Sequence, residues 1–166
     1  MEPLFIIDTN VFIQAHRTTY PLDIVPGFWE KIIDLANRDK IVSIDQVKNE
    51  IYKNDDELKT WCKAKLPEKF WQNSAIASSF YAEIAVWAAG QTERYSPGAI
   101  NEFLDAEVAD AFVVAFSLMS RNTNFVVTYE VESNKKSRIK IPDVCKAFQI
   151  KYINPIGMFR MIGEGF

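Results

Sequence analysis

Apolar positions along this chain alternate between strand-like runs and helical spacing, and each switch marks an element. Leu4–Ile7 is a continuous apolar run, the mark of a strand buried on both faces. Phe28, Ile32, Leu35 and Ala36 then recur at helical spacing behind Pro26-Gly27, which predicts a helix over Pro26–Asn37. Ile41–Ile44 reads as a second short strand, and Ser43 or Asp45 can cap a helix through Val47, Glu50 and Ile51. Residues 54–73 mix Lys, Glu and Asp with Leu58, Trp61, Leu66, Phe70 and Trp71, which predicts one or two amphipathic helices broken near Pro67. Ser79–Ala89 predicts a helix ended by Gly90, and Gln91–Ala99, with Tyr95-Ser96-Pro97-Gly98, reads as a loop. A long helix is expected to start between Ile100 and Asp105 and to run to about Ser120. Asn124–Thr128 predicts a third strand, Ser133–Lys140 a basic polar loop, and Pro142–Phe148 a short helix. Lys151–Ile153 reads as a fourth strand and Pro155–Ile162 as a final helix.

Strands alternating with helices in this order imply an α/β protein with a parallel sheet and helices on both of its faces. No internal repeat, low-complexity tract or linker interrupts residues 1–166, which are read as a single domain. Hydrophobic residues make up 48% and charged residues 25%, which fits a soluble globular chain rather than a disordered one. No apolar run approaches the roughly 20 residues a membrane helix needs, and Met1-Glu2-Pro3 lacks the basic start of a signal peptide. Cys62 and Cys145 lie far apart and form no CxxC, so they read as reduced thiols of a cytoplasmic protein and argue against a zinc site.

The net charge of −3 removes any bulk-charge argument for nucleic-acid binding. An enzyme with an acidic metal site is still compatible with it, provided that local basic clusters grip the substrate. Four acids make such a site the leading reading. Asp8 ends the run Leu4-Phe5-Ile6-Ile7, Glu50 sits between Val47 and Ile51, Asp110 lies within Val108–Val114, and Glu130 follows Phe125-Val126-Val127-Thr128. Burying unpaired carboxylates is expensive, and a shared hard cation such as Mg²⁺ or Mn²⁺ offsets that cost. Ligands of open parallel sheets gather at the carboxyl ends of the strands, where Asp8 and Glu130 are expected and which Glu50 and Asp110 can approach.

Each acid also has a plainer reading. Asp8 can cap a turn, since Asp-Thr-Asn is a good turn sequence, and Asn10 can be a turn residue or a partner that fixes Asp8. Glu50 can face solvent, and Glu130 can be a loop carboxylate. Asp110 is hardest to dismiss because the helix beyond it is almost wholly apolar. Asp105 reads as an N-cap or helix-surface residue, Glu107 as a neighbour one turn from Asp110, and Asp143 as a charge at a helix N-terminus held in reserve for the site.

In order and spacing these segments resemble the PIN-domain nucleases. Phe5-Ile6-Ile7-Asp8-Thr9-Asn10-Val11 looks like their opening strand and first Asp, and Val47-Lys48-Asn49-Glu50-Ile51 like the helix carrying their Glu. Ala109–Ala115 is similar to their Asp-bearing helix, and Val126-Val127-Thr128-Tyr129-Glu130 to the strand ending in Thr-x-Asp, with Glu130 where Asp is more common. Ile141-Pro142-Asp143-Val144-Cys145 further resembles a bacterial toxin-type subfamily, so the likeness runs from Leu4 to about Phe159. It implies a three-layer α/β/α sandwich with a central parallel sheet and Mg²⁺- or Mn²⁺-dependent hydrolysis of RNA. It also implies an antitoxin partner and dimer formation, both common among small bacterial members.

In that reading Asp8, Glu50, Asp110 and Glu130 hold the metal directly or through water, and Asn10 and Thr128 orient them. Lys135, Lys136, Arg138 and Lys140 can hold an RNA backbone, or form a merely solvated loop. Trp61, Phe70, Trp71 and Trp87 suit packing better than base stacking, and His16, the one histidine, suits a polar loop better than catalysis. Two alternatives are an inactive PIN-like module that binds RNA or protein, and a metal-dependent phosphatase with a nucleophilic Asp8. The phosphatase would want a second Asp where Asn10 stands.

Overall fold

The computed structural model describes residues 1–166. Its centre is an all-parallel sheet of β1 (Leu4–Ile7), β2 (Ile41–Ile44), β3 (Trp71–Gln72), β4 (Asn124–Val127) and β5 (Lys151–Ile153), in the order β3-β2-β1-β4-β5. β1 pairs on one side with β2, Phe5 opposite Ile41, and on the other with β4, Ile7 opposite Val127. Ile6, Ile7, Val126 and Val127 are fully buried, as the continuous apolar runs implied for strands covered on both faces.

Helices cover both faces, giving a three-layer α/β/α sandwich. In chain order these are α1 (Thr9–Gln14), α2 (Pro26–Asn37), α3 (Asp45–Tyr52), α4 (Glu57–Lys65), α5 (Ser78–Ala89), α6 (Pro97–Phe103), α7 (Asp110–Leu118), α8 (Ile141–Ala147) and α9 (Pro155–Ile162). The apolar α7 packs on β1, β2 and β4, with α5 and α8 beside it. α2 packs on β2 and meets α9 through Phe28 and Phe159. Phe166 closes that cluster against Tyr20, Phe28 and Phe159. No helix is long and apolar enough to cross a membrane.

Three segments differ from the sequence expectation. The long helix from Ile100–Asp105 to Ser120 is two helices, α6 and α7, because residues 104–109 turn away between them. Asp105 is no N-cap of a long helix. Its carboxylate accepts from the Glu107 amide, a local bond that competes with the helical ladder. Past Pro67 residues 54–73 form only a 3₁₀ turn, Glu68–Phe70, before Trp71–Gln72 adds β3 to the sheet edge, beside Ser43 and Ile44 of β2. The segment after Asp8 is not a bare turn but α1, which runs on into a π-helical turn at Ala15–Thr19.

Candidate active site

The chain runs outward from β1 to β2 and β3, then returns to place β4 on the other side of β1. The direction of winding therefore reverses between β1 and β4, and their carboxyl ends frame a crevice. Sheet hydrogen bonds hold both lips of it. The Asp8 amide donates to the Val127 carbonyl at 3.0 Å, and the Thr128 amide to the Ile153 carbonyl at 3.0 Å. Over this point lies a cavity of about 680 Å³ whose lining includes Asp8, Glu50, Asp110 and Glu130. Acids separated by up to 122 positions thus line one pocket.

Asp8 is both cap and pocket residue. Its Oδ1 accepts from the Thr9 amide at 2.8 Å, starting α1, while Oδ2 accepts from the Thr128 hydroxyl at 3.0 Å. That hydroxyl in turn accepts from the Glu130 amide at 3.1 Å and the Asn10 side-chain amide at 3.1 Å. The Thr128 hydroxyl therefore spends its one proton and both lone pairs on the loop that carries the acids. The carbonyl oxygen of Asn10 accepts from the Tyr129 amide at 3.1 Å, so Asn10 pins α1 to the end of β4.

Glu50 reaches from α3 to accept from the amide of Ala109, the residue just before α7. A carboxylate there faces the positive end of a helix whose first amides lack intrahelical partners. Asp110 opens α7 and is 8% exposed, yet no hydrogen bond reaches its carboxylate. Glu130 accepts from the Ile141 amide at the start of α8 at 3.1 Å. The cation paired with the group is Arg138, whose Nη2 is 3.7 Å from Asp110 Oδ2 and 3.6 Å from Glu130 Oε1.

Such crowding makes ionisation costly. Burial pushes the Asp8 carboxyl well above the usual carboxylate range, and the charges of Asp110 and Glu130 push the same way. Asp110 rises to about 7, through burial first and then repulsion by Glu130 and Glu50, with Arg138 opposing. Glu50 is raised chiefly by burial. The nearby Thr9 hydroxyl, buried and without a hydrogen bond of its own, opposes that rise. No three of the acids yet stand at metal-ligating spacing, so any shared cation would have to draw them inward.

The remaining candidates divide. Lys135, Arg138 and Lys140 line the cavity, but Lys136 does not, and the Lys136 carbonyl instead accepts from the Ser96 amide. Asp143 is buried outside the cavity, accepting from the Ser133 amide and paired with Arg94 at 3.3 Å. Glu107 is exposed and paired with Lys53. His16 lies in the π-helical turn rather than a loop and does not line the cavity. Trp61 packs on Trp29, Trp71 on Phe70, and Trp87 on Phe148, as packing aromatics do. Sequence reasoning missed Thr9 and Tyr129 as lining residues, although both adjoin residues it had selected. Arg138 was expected only as an RNA contact, and nothing in the sequence signalled its position against two of the acids.

The strand order and the α/β/α layers give the chain a PIN-like fold. The chain belongs to the family described as a domain of unknown function, DUF4411, whose model matches residues 5–166. No curated protein matches the sequence. Among solved structures, a chain of VapBC2 from Rickettsia felis, determined bound to a DNA fragment from their promoter, shares the fold. That match has a TM-score of 0.52 at 12% identity and covers 91% of this chain and 98% of the other.

Proposed function

We propose that this protein is a divalent-metal-dependent endoribonuclease and acts as the toxin of a toxin–antitoxin pair. The observation that carries the proposal is the convergence of Asp8, Glu50, Asp110 and Glu130 on one cavity at the strand switch point. Surroundings that raise Asp8, Glu50 and Asp110 together are typical of functional sites and support this reading. The donor set is all oxygen, which fits Mg²⁺ or Mn²⁺ and suits softer metals less. The raised carboxyls support the same reading, since a cation would offset the repulsion that one loosely placed arginine leaves standing.

When bound, such an ion supplies Lewis acidity toward water and toward the phosphoryl oxygens of a phosphodiester. The chain's own groups do the rest. Thr128 and Asn10 fix Asp8 and the Glu130 loop, and Glu50 is steadied by the start of α7. Lys135 and Lys140, on the cavity wall, attract the RNA backbone toward the carboxylates despite the net charge of −3. The fold shared with the VapBC2 chain supports an antitoxin partner for this one, and dimer formation belongs to the same proposal.

The test is RNA cleavage by wild type and Asp8→Asn, purified identically, with Mn²⁺, Mg²⁺ or EDTA. Cutting that needs metal and is lost in the variant is the expected result. Equal cutting by both proteins would overturn the assignment. Absence of Mn²⁺ binding in a calorimetric titration would favour an inactive binding module instead.

A further inference from the structure

Arg138 occupies a place that a divalent ion would need. Its guanidinium bridges Asp110 and Glu130 at 3.7 and 3.6 Å, distances of ion pairing rather than of the paired hydrogen bonds arginine makes when it fits a carboxylate well. The pairing is therefore loose, and the Arg138 side chain is about half exposed while its two partners are largely buried. Asp110 has no other partner, and Glu130 Oε1 is the oxygen left over once Oε2 accepts from the Ile141 amide. Two of the oxygens left without a hydrogen bond, and so open to a cation, are thus the ones that Arg138 covers.

We propose that Arg138 is an internal counter-ion that gates the site: it balances the carboxylates without metal, is displaced when a divalent ion arrives, and then binds a substrate phosphate. This rests on the reading of the acidic cavity as a metal site. A small hard ion approaches carboxylate oxygens to about 2.1 Å and keeps much of its water, so a guanidinium cannot share those oxygens with it. Like charge also drives the two apart. Arg138 is tethered in the 133–140 segment and lines the cavity with Lys135 and Lys140. Turned away from the acids, its planar fork faces the space where the backbone of a bound RNA would run, and that fork matches phosphate oxygens. Arrival of the metal then makes the phosphate-binding wall more basic, so the two binding events reinforce each other.

The experiment is a calorimetric titration of Mn²⁺ into the metal-free full chain as wild type, Arg138→Gln and Arg138→Lys, followed by steady-state RNA cleavage at saturating Mn²⁺. Removing the competing charge should tighten Mn²⁺ binding roughly tenfold, within the usual range for coupled neighbours. Arg138→Lys keeps the charge on a less well-fitting head and should fall between the other two. KM for RNA should rise in Arg138→Gln. Wild-type binding of Mn²⁺ with equal or weaker binding by Arg138→Gln would overturn the gate and leave the metal site standing. Tighter Mn²⁺ binding with unchanged KM would overturn the exchange onto phosphate. Failure of wild type to bind Mn²⁺ would overturn the site reading and the gate together. If Arg138→Gln does not fold, Arg138→Lys alone decides, since a merely structural arginine gives no tightening there.

Discussion

At the scale of single residues, stability and function pull Asp8 and Asp110 in opposite directions. Both are buried at 2% and 8% exposure among other carboxyls, so each amide replacement removes repulsion while leaving volume nearly unchanged. Asp110→Asn should therefore raise the stability of the metal-free protein at pH 8, by roughly 1–3 kcal/mol, while abolishing cleavage. Chemical denaturation checks the first outcome and an RNA assay the second; a loss of stability would mean that Asp110 is paired more fully than its surroundings indicate. Thr128 behaves differently, because its hydroxyl holds Asp8, Asn10 and the Glu130 amide at once. Thr128→Val keeps the shape but strands those partners, which should cost about 1–3 kcal/mol and about 10–100-fold in metal affinity. Thr128→Ser should restore most of both, and a valine variant with wild-type Mn²⁺ affinity would remove Thr128 from the site's support.

At the scale of elements, legibility follows from what fixes each one. β1, β2 and β4 could be read because burial on both faces demands unbroken apolar runs. β3 could not, since two half-buried residues on a sheet edge carry no period of their own. The gap between α6 and α7 also escaped, because part of its cause lies 59 positions away, where Glu50 takes the Ala109 amide. For the same reason the acids could be picked out by their apolar neighbours, but the contacts of Arg138 could not. α9 offers a test of local packing. A Cβ added at Gly157 would lie 2.5 Å from Ile153 Cγ1, a branched side chain on β5 with little freedom to retreat. Gly157→Ala should destabilise by about 1–3 kcal/mol despite the better helix propensity of alanine. Adding Ile153→Ala should recover part of that loss in a double-mutant cycle, whereas strictly additive effects would place the strain elsewhere.

For the whole molecule, the raised carboxyls tie folding, protons and metal into one balance. Asp110 takes up its proton near pH 7 when folded, against 3.8 as its ordinary value, and Asp8 and Glu50 are shifted in the same direction. Between those limits the folded chain binds more protons than the unfolded one, so stability falls as pH rises from about 4 to about 7 through Asp110, and Asp8 and Glu50 add to the fall. The surface pair of Arg38 with Glu164, whose carboxyl is lowered from 4.5 to about 2, changes its contribution only below about pH 5 and leaves the interval from pH 5 to 8 clear. Metal-free protein should therefore melt about 3–8 °C higher at pH 5 than at pH 8, given the usual size dependence of melting shifts. Mn²⁺ should reverse the order, because a cation needs the deprotonated carboxylates and stabilises only the state that gathers them. Scanning calorimetry at the two pH values, with Mn²⁺ and with EDTA, measures both effects. Metal-free stability that is flat or rises across this interval would mean that the acids are not crowded in solution. Stability that falls with pH but ignores Mn²⁺ would leave a crowded acidic pocket with some other cation as its partner.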